Sequence, residues 1–367
     1  MYKPPSGLAG YTMPAEYAPH RATLMIWPSR PGSWGRDPRA AQAAFVRVFE
    51  AVTQSEDLYL LAGPDQLPAA RAATARLPRV KLLCIDSDDA WARDVGPTFV
   101  RHPQKGLCGI SWSFNAWGGT VDGLYADWRK DDALAAAFCR AVGLPCASAA
   151  PFVLEGGSVH SDGEGTLLVT ESCLLSPGRN PQLSRQEIEE TLCAWLGAQK
   201  VLWLPRGIYN DETNEHVDNV CAFVAPANVV LAWTDNTADE QYALSAASLA
   251  YLQRQTDAKG RPLTVHRLPV PDHPILCSAG DCAAYDFAPG EDVRTPGERL
   301  AASYVNFYFT NGAVLVPQFG GENAESDARA CRILQQLCPD RRVTGLPARE
   351  ILQGGGNIHC ITQQIPL

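Results

Sequence analysis

The chain has 367 residues, of which 46% are hydrophobic, and it carries a formal net charge of −9. This length provides a sizeable core, and the acidic balance argues against nucleic acid as a partner, because phosphate binding needs a basic surface. No apolar run approaches the roughly 18 residues of a membrane span, and the N-terminal segment lacks the apolar stretch of a secretory signal. We therefore expect a cytoplasmic protein that binds neither nucleic acid nor membranes.

Cysteine usage bears on disulfides and metal sites. The twelve cysteines are scattered along the chain, and no CxxC pair occurs among them. In a chain without a secretory signal, such cysteines are typical of reduced, mostly buried, small apolar side chains. We therefore expect no structural disulfide and no zinc site.

The first predicted elements are a strand, a polar loop and a helix. Residues 80–85, VKLLCI, form a short apolar run that indicates a strand. The aspartate-rich loop 86–97 follows it, and residues 131–143 show the acidic start and glycine stop of a helix.

Hairpins and helices alternate along the rest of the chain. Hairpins are predicted at 151–170, 220–233 and 304–319. The last of these turns at Asn311-Gly312, which is a strong short-range hairpin signal. Further helices are predicted at 184–197, 239–255 and 325–337, and a strand at 200–205.

The order of hairpin, helix and strand recurs across the chain and suggests a structural repeat without sequence identity between copies. No low-complexity linker divides the sequence, so we expect one continuous α/β domain over residues 1–367. A doubly wound parallel sheet is the alternative. The frequent hairpins count against it, because parallel strands are joined by crossovers.

The closing segment GGGNIHC, residues 354–360, places a cysteine directly after a histidine. A cysteine that only fills the core does not need three preceding glycines, which allow close backbone approach or positive φ. Cys360 is therefore a candidate nucleophile. If the segment is extended, His359 faces the opposite side and does not touch the thiol.

A nucleophilic thiol needs a cationic partner to become a thiolate. His216 is the leading candidate, and Asp218 would share its face if this segment is extended. An ordinary polar loop histidine, or half of a metal site, is the alternative. No HExxH motif supports the metal site.

Acidic residues cluster around one aromatic side chain. Trp91 is flanked by Asp86, Asp88, Asp89 and Asp94. Further along the chain, Glu155 precedes a Gly-Gly pair. Several carboxylates together with an aromatic face, a thiol and a histidine favour a site built for a cation.

Seven segments together resemble the agmatine deiminase family, which is related to the Porphyromonas-type peptidylarginine deiminases. They are SDDAWARDVGPTFV, NAWGG, LEGGSVHSDGEGTLL, LPRGIYNDETNEHVDN, LAWTDN, SYVNFYFTNGAVLVPQFG and GGGNIHCITQQIP. The resemblance extends from MPAEYAPH to the C-terminus, which is nearly the whole chain.

The resemblance implies an α/β propeller (pentein) with fivefold pseudosymmetry, built from ββαβ modules around a polar channel. It also implies roles for individual residues. Cys360 matches the nucleophile, His216 the general acid/base and Glu155 the acid that supports this histidine. Asp94 and Asp218 match the two carboxylates that bind the guanidinium, and Trp91 matches an aromatic beside the substrate.

The implied reaction converts agmatine and water into N-carbamoylputrescine and ammonia, a step toward putrescine, through a covalent thiouronium on Cys360. It needs no metal or other cofactor. Either Asp88 or Asp89 could bind the distal amine, and by family analogy we expect a homodimer. The nearest alternative is arginine or peptidylarginine deimination. A polyamine-binding protein without catalysis and a metal-dependent hydrolase that releases urea are further alternatives.

Overall fold

The computed structural model describes residues 2–289, 291 and 293–367, so Met1 of the predicted domain lies outside the described residues. The strands are β1 (His20–Ile26), β2 (Asp57–Ala62), β3 (Val80–Cys84), β4 (Thr98–His102), β5 (Gly106–Ser113), β6 (Cys146–Val153), β7 (His160–Ser161), β8 (Thr166–Thr170), β9 (Lys200–Leu204), β10 (Cys221–Ala225), β11 (Asn228–Trp233), β12 (Thr264–Pro269), β13 (Tyr308–Phe309), β14 (Ala313–Gln318), β15 (Arg342–Pro347) and β16 (Gln363–Pro366). The α-helices are α1 (Pro31–Trp34), α2 (Arg39–Val52), α3 (Leu67–Ala73), α4 (Ala92–Val95), α5 (Gly119–Asp122), α6 (Arg129–Val142), α7 (Glu171–Leu174), α8 (Arg185–Leu196), α9 (Val217–Val220), α10 (Glu240–Leu252), α11 (Ala279–Ala284), α12 (Ala324–Leu337) and α13 (Arg349–Leu352).

Across the described residues the strands form five small sheets with one shared pattern. In four of them an antiparallel hairpin is extended by a third strand that lies parallel to the second, as in β4-β5-β6. Helices connect the second and third strands in each. This confirms the predicted α/β fold of ββαβ modules and shows that the doubly wound alternative was wrong. The assignment of residues 1–367 to a single domain stays a prediction.

The fifth sheet joins the two ends of the chain. Its order is β16-β1-β2-β3, and β16 pairs antiparallel with β1. The last strand thus takes the place of the first hairpin strand in this module. The segment that carries Cys360 is therefore anchored by a sheet on its C-terminal side rather than left as a loose terminus.

Local sequence signals explain where several elements begin and end. Ser184 and Glu187 form a capping box at the start of α8, and Gly197 ends that helix in the left-handed conformation. Asn311 and Gly312 connect β13 to β14, in which Phe309 pairs with Val314. These predictions are confirmed.

Polar loops precede the first hairpin strand of every module. They carry Asp94 before β4, Glu155 before β7, His216 and Asp218 before β10, and Cys360 before β16. Because the modules share one topology, the same position recurs five times, and the loop before β13 carries Asn306 there. This repeated position brings side chains from distant parts of the sequence to one site.

Among the described residues, no helix is both long enough and apolar enough to cross a bilayer.

We predict that the closing strand contributes strongly to stability. Ile365 in β16 is 1% exposed, so Ile365→Ala should leave a cavity and lower the free energy of unfolding by about 2–5 kcal/mol. Urea denaturation measures the change. The control is Leu367→Ala, which removes a side chain that is 66% exposed and should change stability by at most about 0.5 kcal/mol. Equal effects of the two substitutions would contradict the anchoring role of this strand.

Candidate active site

Loops from all five modules meet around the thiol of Cys360, which is buried. The Asn306 side chain donates from Nδ2 to the sulfur at 3.2 Å, and the Cys360 backbone N–H donates to Asn306 Oδ1 at 3.3 Å. Asp218 Oδ2 lies 3.8 Å from the sulfur. Burial, followed by the negative charges of Asp218 and Asp94, raises the pKa of the thiol well above its usual value. The thiol is therefore protonated at neutral pH in the free protein.

The glycines before Cys360 permit a close approach. A Cβ at Gly356 would lie 2.7 Å from the Trp91 ring and 3.1 Å from the Cys360 sulfur. Gly355 has φ of +119°, which favours glycine. Gly356 thus lets the backbone pass between the Trp91 indole and the nucleophile without filling the space in front of it.

His216 lies between two carboxylates. Its Nδ1 is 3.9 Å from Asp94 Oδ1, and its Nε2 is 3.7 Å from Glu155 Oε2. Arg179 Nε lies 2.8 Å from the other oxygen of Glu155. Burial alone would lower the pKa of His216, but the charge of Asp94, with contributions from Cys173 and Glu155, raises it well above its usual value. At neutral pH this histidine is an imidazolium that can donate a proton.

Two buried carboxylates face each other across the site. Asp94 accepts from Trp117 Nε1 at 2.9 Å and from the Gly157 N–H at 2.8 Å. Burial raises the pKa of Asp94 to about 6; His216 opposes the rise, while Asp218 and Glu155 add to it. Burial would likewise raise the pKa of Asp218, but its hydrogen bond to His359 and the charge of that ring bring it below the usual value.

Gly157 lies where three functional side chains converge. A Cβ at this position would be 2.6 Å from His216 Nδ1 and 2.9 Å from both Asp94 Oδ1 and Asp218 Oδ2. A side chain here would displace at least one of them. The second glycine of the Gly-Gly pair after Glu155 is therefore required by the packing of the site.

A cavity leads from the thiol toward the surface in two connected chambers. The inner chamber is lined by Cys360 and Asp94, and the outer chamber by Arg30, Asp89, Glu291, Arg294 and Glu298 among others. The residues shared by both chambers are Trp91, Trp117, Leu124, Glu212 and Gly354. An elongated molecule could therefore extend from the sulfur past the two indoles to the acidic outer chamber.

The structure brings together most of the residues predicted for the site. Cys360, Asp94 and Trp91 line the inner chamber. His216, Glu155 and Asp218 lie around that chamber, within the short contacts described above. Asp88 is not among them: its carboxylate accepts from the backbone N–H groups of Lys130 and Asp131 at 2.9 and 3.2 Å, at the start of α6. The Asp88 side chain thus caps a helix, and the prediction that it binds substrate is not supported by its position.

Asp89 is the neighbouring acid that does reach the chamber, but its carboxylate is heavily engaged. It accepts from Trp34 Nε1 at 2.7 Å and from Trp91 Nε1 at 3.0 Å, and Ser33 Oγ donates to it as well. These bonds fix the indole of Trp91 on the wall of the cavity. Asp89 therefore supports the aromatic wall.

Two local conformations differ from the expected extended backbone. His216 caps α9 and Asp218 lies within its first turn, yet both side chains reach the same site. Residues 358–361 form a turn, so the strand geometry that would point His359 and Cys360 to opposite sides does not apply. His359 Nδ1 lies 2.7 Å from the same Asp218 oxygen that approaches the sulfur. Both segments are tight turns rather than strands because the chain enters a β-strand, β10 or β16, directly after each of them.

Sequence reasoning missed several residues of the site. Asn306 is a polar residue inside the apolar run YVNFYF, and that irregularity could have identified it. Trp117 and Glu212 lie in two of the segments that carry the family resemblance, but no local pattern singled out these two residues, or Arg179, for a role in the site. His359 was noticed, but its partners Asp218 and Glu16 are distant in sequence.

Among the residues that the structure describes, two sets of buried side chains have three potential metal-ligating atoms within 4.8 Å of one another: Glu16, His160 and His359, and Glu155, Cys173 and His216. In the first set His359 already binds Glu16, and Arg93 lies 3.2 Å from the same carboxylate. In the second, Arg179 pairs with Glu155. An arginine beside each set opposes a metal cation there.

Comparison with known proteins gives consistent matches over nearly the whole chain. The profile of the Porphyromonas-type peptidyl-arginine deiminases matches residues 12–366. The agmatine deiminase of Stutzerimonas stutzeri is 50% identical over 357 residues, which cover 97% of this chain and 96% of that protein. That of Ectopseudomonas mendocina is 49% identical over 359 residues with the same coverage.

A solved structure of agmatine deiminase from Enterococcus faecalis, described as catalysing its reaction, superimposes with a TM-score of 0.93. It is 42% identical and covers 97% of this chain and 96% of its own.

We predict that the Cys360 thiol reacts slowly in the free protein. Because burial and two carboxylates raise its pKa, alkylation by iodoacetamide at pH 7 should be slower at Cys360 than at the exposed Cys84, and it should accelerate with rising pH. Peptide mapping by mass spectrometry follows both sites in one sample. Faster labelling of Cys360 than of Cys84 at pH 7 would contradict the protonated state.

Proposed function

The chain belongs to the Porphyromonas-type peptidyl-arginine deiminase family, and on that premise we propose that it is an agmatine deiminase. The reaction is hydrolysis of agmatine to N-carbamoylputrescine and ammonia, through a covalent intermediate on Cys360. The observation that carries the proposal is the placement of this thiol and the Asp94 carboxylate on one chamber, with Asp218 3.8 Å from the sulfur. That arrangement suits a planar cation and little else.

The two carboxylates bind the guanidinium. A guanidinium presents several N–H donors, which carboxylates accept through charge-assisted hydrogen bonds. Asp218 Oδ1 is buried and lacks a hydrogen-bond partner among the described residues, which leaves it ready for such a donor. With both carboxylates engaged, the central carbon faces Cys360, and fixing this geometry removes much of the entropic cost of attack.

The substrate itself activates the nucleophile. In the free enzyme the negative charges around the sulfur favour the thiol. A guanidinium placed against the same carboxylates offsets those charges and favours the thiolate, so the thiol proton is released to water on binding. A cationic substrate thus generates its own nucleophile, and neutral molecules do not.

The first half of the reaction expels ammonia. The thiolate attacks the guanidinium carbon and forms the C–S bond of a tetrahedral adduct. The His216 imidazolium then donates its proton to one amino group, the C–N bond breaks, and ammonia leaves. A positively charged thiouronium remains on Cys360, and His216 is now neutral. Glu155 keeps this ring in place and favours its return to the cationic form.

The second half releases the ureido product. Neutral His216 takes a proton from a water molecule as the oxygen attacks the thiouronium carbon. The new tetrahedral adduct collapses with cleavage of the C–S bond, and the hydroxyl proton is lost as the carbonyl forms. The thiol and the imidazolium are regenerated. Every proton is carried by residues of this chain or by water.

The outer chamber favours an amine at the far end of the substrate. An arginine substrate would require a cation free to bind its α-carboxylate. The two arginines on the chamber wall, Arg30 and Arg294, are already paired with Glu291 and Glu212, the latter at 2.5 Å. Glu212 lines both chambers and, because its carboxylate can accept from more than one donor, it can bind the distal ammonium while it stays paired with Arg294 through Oε1.

Three expectations accompany this function as proposals. The substrate is a small cationic guanidine, the chain acts in putrescine formation in the cytoplasm, and the subunits assemble as a dimer by analogy with the family. The site residues proposed to carry the reaction are Cys360, His216, Glu155, Asp94, Asp218 and Trp91.

We predict strong selectivity for agmatine. In a panel of agmatine, arginine and a peptidylarginine, ammonia release should be fastest with agmatine, by roughly 100-fold in kcat/KM, because the arginines among the described lining residues, Arg30 and Arg294, are already paired with acids. Cys360→Ala should abolish ammonia release and keep agmatine binding measurable by calorimetry.

Other outcomes of that panel would assign a different function. Preference for arginine or peptidylarginine would favour the alternative deiminases. Urea among the products, or loss of activity with a chelator, would favour a metal hydrolase, and binding without turnover would favour a polyamine-binding protein.

We predict that Glu212→Gln raises KM for agmatine about tenfold, because one hydrogen bond to a charged group is weakened, with little change in kcat. Butylguanidine, which has no amine, serves as the matched substrate and should be unaffected. Glu298→Gln, in the outer chamber only, is the control variant. Equal losses with both substrates would show that Glu212 does not bind the amine.

A further inference from the structure

A buried chain of charged groups lies behind Asp218. His359 Nδ1 is 2.7 Å from Asp218 Oδ2, and His359 Nε2 is 2.5 Å from Glu16 Oε2. Arg93 Nη2 donates to that same Glu16 oxygen at 3.2 Å. All four side chains are buried, with exposures of 4% or less. Nothing in the reaction described above assigns a task to His359 or Glu16.

The protonation state of His359 follows from its partners. An ionised carboxylate only accepts hydrogen bonds, so a ring nitrogen facing one must carry a proton. Both nitrogens of His359 face carboxylate oxygens, which makes the ring an imidazolium. Burial and the charge of Arg93 lower the pKa of this ring, but Glu16 and Asp218 outweigh them and raise it.

Glu16 is itself held rigidly. Its Oε1 accepts from the Phe309 backbone N–H at 3.0 Å, and its Oε2 receives both His359 and Arg93. The N-terminal segment, the loop before β4, the fourth hairpin and the C-terminal turn therefore meet at one carboxylate. This arrangement fixes the orientation of the His359 ring.

We propose that His359, clamped by Glu16, is a positioning residue that keeps Asp218 ionised and directs its free oxygen toward the guanidinium. The inference rests on the proposed deiminase function. Because Asp218 Oδ2 is occupied by the imidazolium, only Oδ1 is left for the substrate. Were Asp218 protonated, its hydroxyl would compete with the donors of the guanidinium and its charge would be lost.

Asp218 needs such a cation because burial and the negative charge of Asp94 both oppose its ionisation. The titratable and charged groups around it are Glu16 on the N-terminal segment, Arg93 and Asp94 on α4, Glu155 before β7, His160 on β7, His216 before α9, and His359 and Cys360 on the C-terminal turn. Burial lowers the pKa of His160 to about 4, so that ring is neutral and cannot replace His359. Of the cationic groups among these described residues, His359 is the one hydrogen-bonded to the Asp218 carboxylate.

The test uses the full-length enzyme with His359→Gln and Glu16→Gln. Each variant keeps a polar side chain of similar size, and thermal melting establishes that it is folded. Burial raises the pKa of Asp94 to about 6, so we expect this carboxylate to set the acid limb of kcat/KM for agmatine in the wild type. Without the imidazolium, burial and the charge of Asp94 raise the pKa of Asp218 to this range or above. In His359→Gln the acid limb should then move to higher pH by about one unit or more, and its slope should steepen because two carboxylates, Asp94 and Asp218, titrate there. In Glu16→Gln the limb should shift less.

A binding measurement separates positioning from chemistry. In a Cys360→Ser background, which cannot turn over, His359→Gln should weaken agmatine binding about tenfold at pH 7. Raising the pH should restore part of this loss, because Asp218 then ionises. A merely structural role would lower activity at every pH alike and leave the limb in place.

The control is His160→Gln, which removes a buried ring stacked on His359 at 6.1 Å between ring centroids. The acid limb should stay where it is in the wild type. If His359→Gln and Glu16→Gln fold but leave both the limb and the binding constant unchanged, the inference is overturned. If Cys360→Ser alone binds no agmatine, the proposed function fails instead.

Discussion

The structure depends on keeping two carboxylates ionised inside one buried cavity. Like charges in a low-dielectric site repel each other and favour protonation, so each carboxylate needs a compensating cation. The acids and their cations form two sets: Asp94, Glu155, His216 and Arg179 on one side, and Asp218, Glu16, His359 and Arg93 on the other. Each set is neutral as a whole. Because both sets are neutral without substrate, a bound guanidinium adds one positive charge, which the thiolate of Cys360 then balances.

The repeated module is what makes this arrangement possible. In each module a polar loop leads into the first strand of the hairpin. The same position therefore recurs around the molecule, and it supplies Asp94, Glu155, His216, Asn306 and Cys360. Closure of the first sheet by β16 places the nucleophile on an anchored segment. A reactive group near the end of a chain is thereby held as firmly as one in the middle. The fold thus converts sequence separation of hundreds of residues into contacts of a few ångströms.

Local signals predicted much of the fold, whereas the charge network required the tertiary structure. The Asn311-Gly312 hairpin and the Ser184 capping box depend on neighbouring residues, and both were predicted. The resemblance supplied Cys360 and its partners, but not Asn306 or Glu212. Asp88 was predicted to bind substrate, whereas its carboxylate accepts hydrogen bonds at the start of α6; a loop acid and a helix cap look alike in sequence. The role of His359 depends on Glu16, which lies more than three hundred residues away, and no local pattern encodes that contact.

Detection of the covalent intermediate tests the central claim most directly. The enzyme would be mixed with agmatine, quenched in acid during turnover, digested and examined by mass spectrometry. The account predicts that the peptide containing Cys360 carries an adduct equal to agmatine minus ammonia, and that the adduct disappears when substrate is exhausted. Ammonia release with an unmodified Cys360 peptide throughout turnover, or an adduct on another cysteine, would contradict it.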